Sequence, residues 1–271
     1  MTTPYAEVIG DPIAHSKSPL IHRFWLERLG IAGDYRAERV AADGLAGYFA
    51  ARAADPDWRG CNVTVPHKVA ALDHVPDPGG VRESIGAANT VFRDGSGRLA
   101  ATNTDAAGFL SPIADLDLGG AAVTVVGAGG AARAVLFALS KVGVGRVTLL
   151  NRTPLKAAAL LAGFGLKGDA LPLEARPRPD TALLVNASAL GMAGQPPLSL
   201  DLAPLPEDAI VYDIVYAPLE TPLLAAARAR GLDTVDGLEM LIGQAALAFE
   251  LFFGAAPPRE DDDALRDLLL A

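Results

Sequence analysis

The chain has 271 residues, 51% of them apolar and 20% charged, which is enough for one large domain or two smaller ones. A formal net charge of −9 provides no field to attract nucleic acid or an anionic membrane surface, so neither is expected as a partner, and small-molecule chemistry is the better reading. The single cysteine, Cys61, excludes an internal disulfide, the Ala/Leu-rich segments are interrupted before they reach bilayer length, and the opening MTTPYAEVIGDPIAHS lacks the pattern of a signal peptide, so a cytoplasmic location is expected.

In chain order, YAEVIG reads as a buried strand ending at Gly10, and SPLIHRFWLERLG as a helix with Ser18 as N-cap, Pro19 at N1 and Gly30 as its stop. A strand over Asp34 to Val40, a helix through LAGYFAARAA and a strand in GCNVTVPHK that stops at Pro66 follow. This alternation predicts parallel βαβ units in a first α/β layer of roughly a hundred residues. At Ala121 the pattern restarts with AAVTVVGAGGAARAVLFALSKVG, a strand, a glycine-rich turn and a long helix. The strand RVTLLN, a helix from Pro154, the strands ALLVNAS and AIVYDIVY and the helix TPLLAAARARG complete a second sheet. From Asp236 the chain is helical through LEMLIGQAALAFELFFG, and a short acidic helix, DDDALRDLLLA, ends it. The expected fold is α/β in two domains. Residues 1–104 with 238–271 form an N-terminal α/β substrate domain to which the last helices return, and 105–237 form a Rossmann-type dinucleotide-binding domain, with the cleft between the two.

Gly127, Gly129 and Ala132 fill the three small positions of the G-x-G-x-x-G/A fingerprint, where the turn, the approach of a pyrophosphate and close helix packing each require a small residue. Ala128, Gly130 and Ala131 complete the loop, and the pyrophosphate belongs at the helix N-terminus. The competing reading is a glycine-rich turn with no ligand. At the end of the next strand, where NAD binders usually carry a carboxylate, this chain has Asn151, Arg152 and Thr153, followed by Lys156. A guanidinium binds a 2′-phosphate that a carboxylate would repel, so NADP is the expected cofactor; a solvated surface pair is the alternative for Arg152 and Lys156.

In the first domain, neutral polar residues stand at or beyond predicted strand ends: Ser16, Ser18, Asn62, Thr64, Asn89, Thr90 and Asn103, with the acid Asp105 after them. Loops at the carboxyl ends of several strands converge on one ligand in such sheets, and neutral donors suit a polyol. Lys68, held at a strand-to-helix turn behind Pro66, is the candidate general acid for an alkoxide formed by hydride addition to a ketone, and Asp105 the candidate partner of its ammonium. An ordinary surface ion pair is the alternative. His67 reads as a packing or helix-start residue and Cys61 as a buried strand residue. His15 and His22 lie near no cluster of metal ligands, so no metal is expected.

Seven segments, GDPIAHSKSP, NVTVPHK, GAANT, TNTDAAG, GAGGAARA with NRT, YDIVYAPLETPLL and GLEMLIGQAALAFELF, resemble the shikimate dehydrogenase family in order and over nearly the whole chain. The resemblance implies reversible NADPH-dependent reduction of 3-dehydroshikimate to shikimate in aromatic amino acid biosynthesis, by a monomer or homodimer. It implies that Ser16, Ser18, Thr64, Asn89, Asp105 and Gln244 bind the substrate with Tyr216 close by, that Lys68 and Asp105 are the catalytic pair, and that Gly237 lies near the nicotinamide. The chain departs from many relatives at Arg23, after His22, and at Ser188 in VNASALGM. The paired serines favour shikimate over quinate. A quinate/shikimate dehydrogenase using NAD or NADP, and a non-catalytic sensor of the metabolite or of nicotinamide, are the competing readings.

Overall fold

The computed structural model describes residues 3–271. The chain divides into two compact units, one of the residues up to Thr104 together with Ile242–Ala271, the other of Asp105–Leu241. The first unit begins with β1 (Tyr5–Gly10), α1 (Ser18–Arg28), β2 (Asp34–Arg39), α2 (Leu45–Ala54) and β3 (Trp58–Val63). A single turn, α3 (Val81–Ser84), then leads to β4 (Thr90–Arg93) and β5 (Leu99–Thr102). The sheet order is β2-β1-β3-β4-β5.

Strand β1 is buried along its whole length because it has a parallel neighbour on each side, β2 and β3. The edge strand β2 instead exposes Arg36, Glu38 and Arg39, charges that discourage pairing with another chain. The purely parallel layer expected from the alternation of strands and helices is corrected here: β4 pairs antiparallel with both β3 and β5. The connection between β4 and β5 is too short for a crossover and closes as a hairpin. Ser18 is also not the N-cap of α1. It is the first helical residue, Lys17 occupies the cap position, and the Lys17 side chain makes no capping bond.

The second unit opens with α4 (Asp105–Leu110), and the expected strand–turn–helix follows as β6 (Ala122–Val126) and α5 (Gly130–Val142). Next come β7 (Arg146–Leu150), α6 (Pro154–Gly163), β8 (Gly168–Leu171), β9 (Thr181–Asn186), β10 (Ile210–Asp213), α7 (Pro222–Ala229) and β11 (Asp233–Val235). The short strands β8 and β11 carry too few apolar residues to register in the periodicity. All pairs are parallel, in the order β11-β10-β9-β6-β7-β8. Numbered within the unit and read from β8 this is 3-2-1-4-5-6, the doubly wound dinucleotide-binding order, with its switch point between β6 and β9. Helix α5 buries Ala132, Ala134, Val135, Leu136, Ala138 and Leu139. Val126, Leu150, Leu184 and Val211 of the sheet pack with Leu223, Leu224 and Ala227 of α7.

Helix α8 (Gly237–Phe253) starts in the second unit and ends in the first, where Ala248 and Phe252 pack with Ala6, Val8 and Tyr35. The last helix, α9 (Asp262–Leu270), buries Leu265 and Leu269, and the Lys17 ammonium donates to the Leu269 carbonyl. Among the described residues no helix is long and apolar enough to cross a membrane.

Candidate active site

In the first unit the antiparallel hairpin determines where the polar residues meet. Parallel pairing puts the carboxyl ends of β1 and β3 side by side, with Ile9 opposite Val63. Because β4 runs the other way, its first residue, Thr90, lies opposite Asn62 of β3 and Thr102 of β5. Asn89, just before β4, and Thr104, just after β5, therefore share one edge of the sheet with Thr64.

A buried polar network fills this edge. The Asn89 side-chain amide donates to Thr104 Oγ1 at 2.9 Å and to Gln244 Oε1 of α8 at 3.3 Å. Its Oδ1 accepts from the Thr104 backbone N–H at 2.7 Å and from the Thr90 hydroxyl at 3.0 Å. Asn62 donates to Thr90 Oγ1 at 3.1 Å. Asn62, Asn89, Thr90, Thr104 and Gln244 are all buried, so each unpaired polar atom would cost a desolvation penalty; the bonds hold the side chains in one arrangement.

Lys68 sits half-buried in the turn after β3, and its carbonyl accepts from the Ala88 N–H at 2.7 Å, which ties the lysine backbone to the residue before Asn89. Thr64 is half-buried, and its N–H donates to the Ile9 carbonyl at 2.9 Å. Ser16 and Ser18 lie in the connection leaving the neighbouring β1; Ser18 is buried, and its N–H donates to Ser16 Oγ at 3.3 Å. Asn103 donates to the Ala87 carbonyl at 2.7 Å and so braces the approach to Asn89. His67 is buried with Nε2 2.6 Å from the Val40 carbonyl, and Cys61 is buried in β3, both in packing positions. Burial pushes the Cys61 thiol far up, which leaves it inert.

In the second unit Gly127 follows β6 with φ +108°, and a Cβ there would fall 2.8 Å from the Ala187 carbonyl oxygen beyond β9, so only glycine fits the turn. Gly129 is exposed with open space around it, Gly130 begins α5, no side chain caps that helix, and Ala132 is fully buried against the sheet. Backbone N–H groups at the switch point are thus open to an anion. Ala128 is buried and Ala131 half-buried along the same turn.

The loop after β7 holds Asn151 half-buried, its amide donating to the Thr153 carbonyl at 3.0 Å, with Arg152, Thr153 and Lys156 exposed. Thr153 occupies the N-cap position of α6, but its hydroxyl makes no capping bond. Among the described residues no carboxylate pairs with Arg152 or Lys156, so neither cation is neutralised by the protein.

Beyond β9 and β10 a second buried network escaped sequence reasoning. Asp213, with no exposed surface, accepts from Asn186 Nδ2 at 2.9 Å, from the Val215 N–H at 3.0 Å and from the Thr221 hydroxyl at 2.7 Å. Asn186 Oδ1 in turn accepts from the Ser188 hydroxyl at 2.7 Å. Desolvation raises the Asp213 carboxyl above the usual range. Half-buried Tyr216 lies on the loop so anchored, its phenol also raised by burial, and Gly237 packs where a Cβ would meet the Ile214 carbonyl. Asp105 is buried at the start of α4. Among the described residues no cluster of His, Cys, Asp or Glu could hold a metal ion.

The sheet order and the glycine turn define a protein of the dinucleotide-binding α/β class. Profiles of the families described as "Shikimate dehydrogenase substrate binding domain", "Shikimate / quinate 5-dehydrogenase" and "Shikimate 5'-dehydrogenase C-terminal domain" match residues 8–91, 111–177 and 237–262. The shikimate dehydrogenase (NADP(+)) of Sphingopyxis alaskensis is 69% identical over 99% of this chain and 98% of its own. The chain belongs to the shikimate dehydrogenase family. Among solved structures, the shikimate 5-dehydrogenase of Thermus thermophilus in complex with NADP(H) and shikimate is 40% identical at a TM-score of 0.85, covering 98% of this chain and 99% of that one. The ligand-free 5-ketofructose reductase of a Gluconobacter species is 29% identical at a TM-score of 0.87, covering 99% of each chain.

Proposed function

We propose that this chain is an NADP-dependent shikimate dehydrogenase that reversibly reduces 3-dehydroshikimate to shikimate on the way to the aromatic amino acids. The observation that carries the reading is the buried neutral network of Asn89, Thr104 and Gln244 on the sheet edge that also holds Lys68 and Thr64. Neutral amides and hydroxyls with fixed donors and acceptors suit a ring bearing several hydroxyls. We assign the shikimate carboxylate and hydroxyls to Ser16, Ser18, Thr64, Asn89, Asp105 and Gln244, with Tyr216 as a further substrate residue.

Lys68 is the proton carrier. In reduction its ammonium donates to the oxygen on which negative charge develops, and in oxidation the neutral amine takes the hydroxyl proton; we assign Asp105 as the other member of the catalytic pair. Residues up to Thr104 with the returning helices form the substrate and catalytic domain, and the remaining unit the NADP domain. The residues present fit NADP: the open turn of Gly127 to Ala131 faces the pyrophosphate, and Asn151, Arg152, Thr153 and Lys156 the 2′-phosphate, with Gly237 near the nicotinamide. When bound, the cofactor supplies or accepts the hydride. We read the enzyme as cytoplasmic, in keeping with a buried, unpaired Cys61, and as a monomer or homodimer.

The test is the initial rate of nicotinamide reduction with shikimate or quinate, each against NADP or NAD. Activity concentrated on shikimate with NADP is expected. Comparable rates with quinate or with NAD overturn the assigned specificity, and binding without turnover overturns the enzyme reading.

A further inference from the structure

The buried network around Asn89 does not end at Asn62. The Tyr35 phenol on β2 donates to Asn62 Oδ1 at 2.6 Å, and neither residue is open to solvent. Two backbone groups determine the polarity of the whole chain of bonds. The Thr104 N–H can only donate, so the Asn89 atom it meets at 2.7 Å is the carbonyl oxygen. The Asn89 amide nitrogen then faces Thr104 Oγ1 and Gln244. At the other end the Asn89 backbone carbonyl can only accept, and the Asn62 atom 3.4 Å from it is the amide nitrogen. Asn62 Oδ1 is left facing Tyr35, where it needs a donor. The bonds therefore run one way, from the Tyr35 hydroxyl to Asn62, from Asn62 to the Thr90 hydroxyl, from Thr90 to Asn89, and from Asn89 to Thr104 and Gln244.

The ring that starts this chain is held firmly. It stacks on the His22 imidazole with centroids 3.9 Å apart and planes 4° apart, and lies against Phe252 of α8 at 6.3 Å. Burial pushes the phenol well above its ordinary range, so it stays a protonated donor wherever the protein is folded.

We infer that Tyr35 is a positioning residue for substrate recognition: through Asn62 and Thr90 it orients the Asn89 amide that meets the substrate hydroxyls. This rests on the assignment of Asn89 to substrate made above. Without the phenol hydroxyl, Asn62 Oδ1 is buried with no donor; its amide nitrogen stays on the Asn89 carbonyl, but the amide is no longer held from its other side, so its bond to the Thr90 hydroxyl weakens and Thr90 is held less firmly on Asn89. The effect falls on binding of the hydroxylated ring and not on proton transfer by Lys68.

The experiment is steady-state kinetics on the full-length enzyme and its Tyr35→Phe, Asn89→Ala and doubly substituted variants. Tyr35→Phe is expected to raise the KM for shikimate roughly three- to tenfold, the equivalent of one misdirected hydrogen bond, with kcat and the KM for NADP within about twofold. In the Asn89→Ala background the same change adds nothing further to the shikimate KM, because the group through which it acts is gone. Thr90→Val breaks the chain one link later and reproduces the Tyr35→Phe profile, which keeps the test alive should the Tyr35 variant fold poorly. A merely structural tyrosine lowers thermal stability and leaves KM unchanged; that outcome, with Asn89→Ala raising KM, overturns the inference alone. An unchanged KM in Asn89→Ala overturns the substrate assignment itself.

Discussion

His22 makes acid a specific threat to this fold. Its imidazole is fully buried, stacked on Tyr35 and edge-on to Trp25 at 5.8 Å, and neither ring nitrogen has a hydrogen-bond partner. A cation there is unsolvated, so desolvation pulls its pKa down from 6.5 to about 3. The native state thus holds His22 neutral where the unfolded chain takes up a proton, and a state that binds fewer protons loses stability as pH falls. The loss begins near the unfolded value of 6.5 and continues down to about 3, where the folded form protonates too. At about 1.4 kcal/mol per pH unit, a fall from 6.5 to about 5 removes about 2 kcal/mol, a large share of a typical net stability of about 5–15 kcal/mol. The assay is urea unfolding at about pH 7.5 and about pH 5 for the wild type and for His22→Phe, which keeps a ring on Tyr35 but does not titrate. Whatever the substitution costs by overpacking is common to both pH values and cancels in the difference between slopes, as do the carboxylates. The variant should lose about 2 kcal/mol less than the wild type between the two conditions. Parallel losses would refute the assignment of acid sensitivity to His22.

Lys68→Ala should lower kcat by roughly two to four orders of magnitude with little change in shikimate binding, since the proton carrier is lost and the neutral contacts remain; near-normal turnover removes Lys68 from that role. Arg152→Asp should shift the ratio of NADP to NAD efficiency toward NAD by roughly ten- to a hundredfold through repulsion of the 2′-phosphate, and an unchanged ratio sinks the reading of that loop. The Glu7 carboxylate, 2% exposed, accepts from Tyr48 at 2.8 Å, from Trp58 at 3.2 Å and twice from Arg52, at 2.7 and 2.9 Å. Glu7→Gln strips a half-buried guanidinium of its partner and sets a buried amide N–H against these donors, for an expected cost of about 2–4 kcal/mol in denaturant unfolding. A loss below about 0.5 kcal/mol contradicts that account.

Features that depend only on neighbours in the chain were legible from the residues alone. A glycine between an apolar strand and a helix signals a turn of positive φ, and Gly127 has one, at +108°. Hydrophobic period separates strand from helix, and the absence of a carboxylate in NRTPLK is a fact of composition. Beyond a few residues the local signal fades. The hairpin of β4 and β5 escaped because neighbouring strands and helices suggested crossovers, and only pairing across the sheet reverses them. Thr104 was passed over between Asn103 and Asp105, since which residue of a polar run faces Asn89 depends on strand direction. The bond from Asn89 to Gln244 spans 155 positions, and that from Tyr35 to Asn62 spans 27. Glu7 looks like a misplaced charge in a buried strand until Arg52, Tyr48 and Trp58 close around it. Hydrogen bonds in a buried site are satisfied by whatever group the fold brings within about 3 Å, and that identity is settled by packing, which the order of residues along the chain does not encode locally.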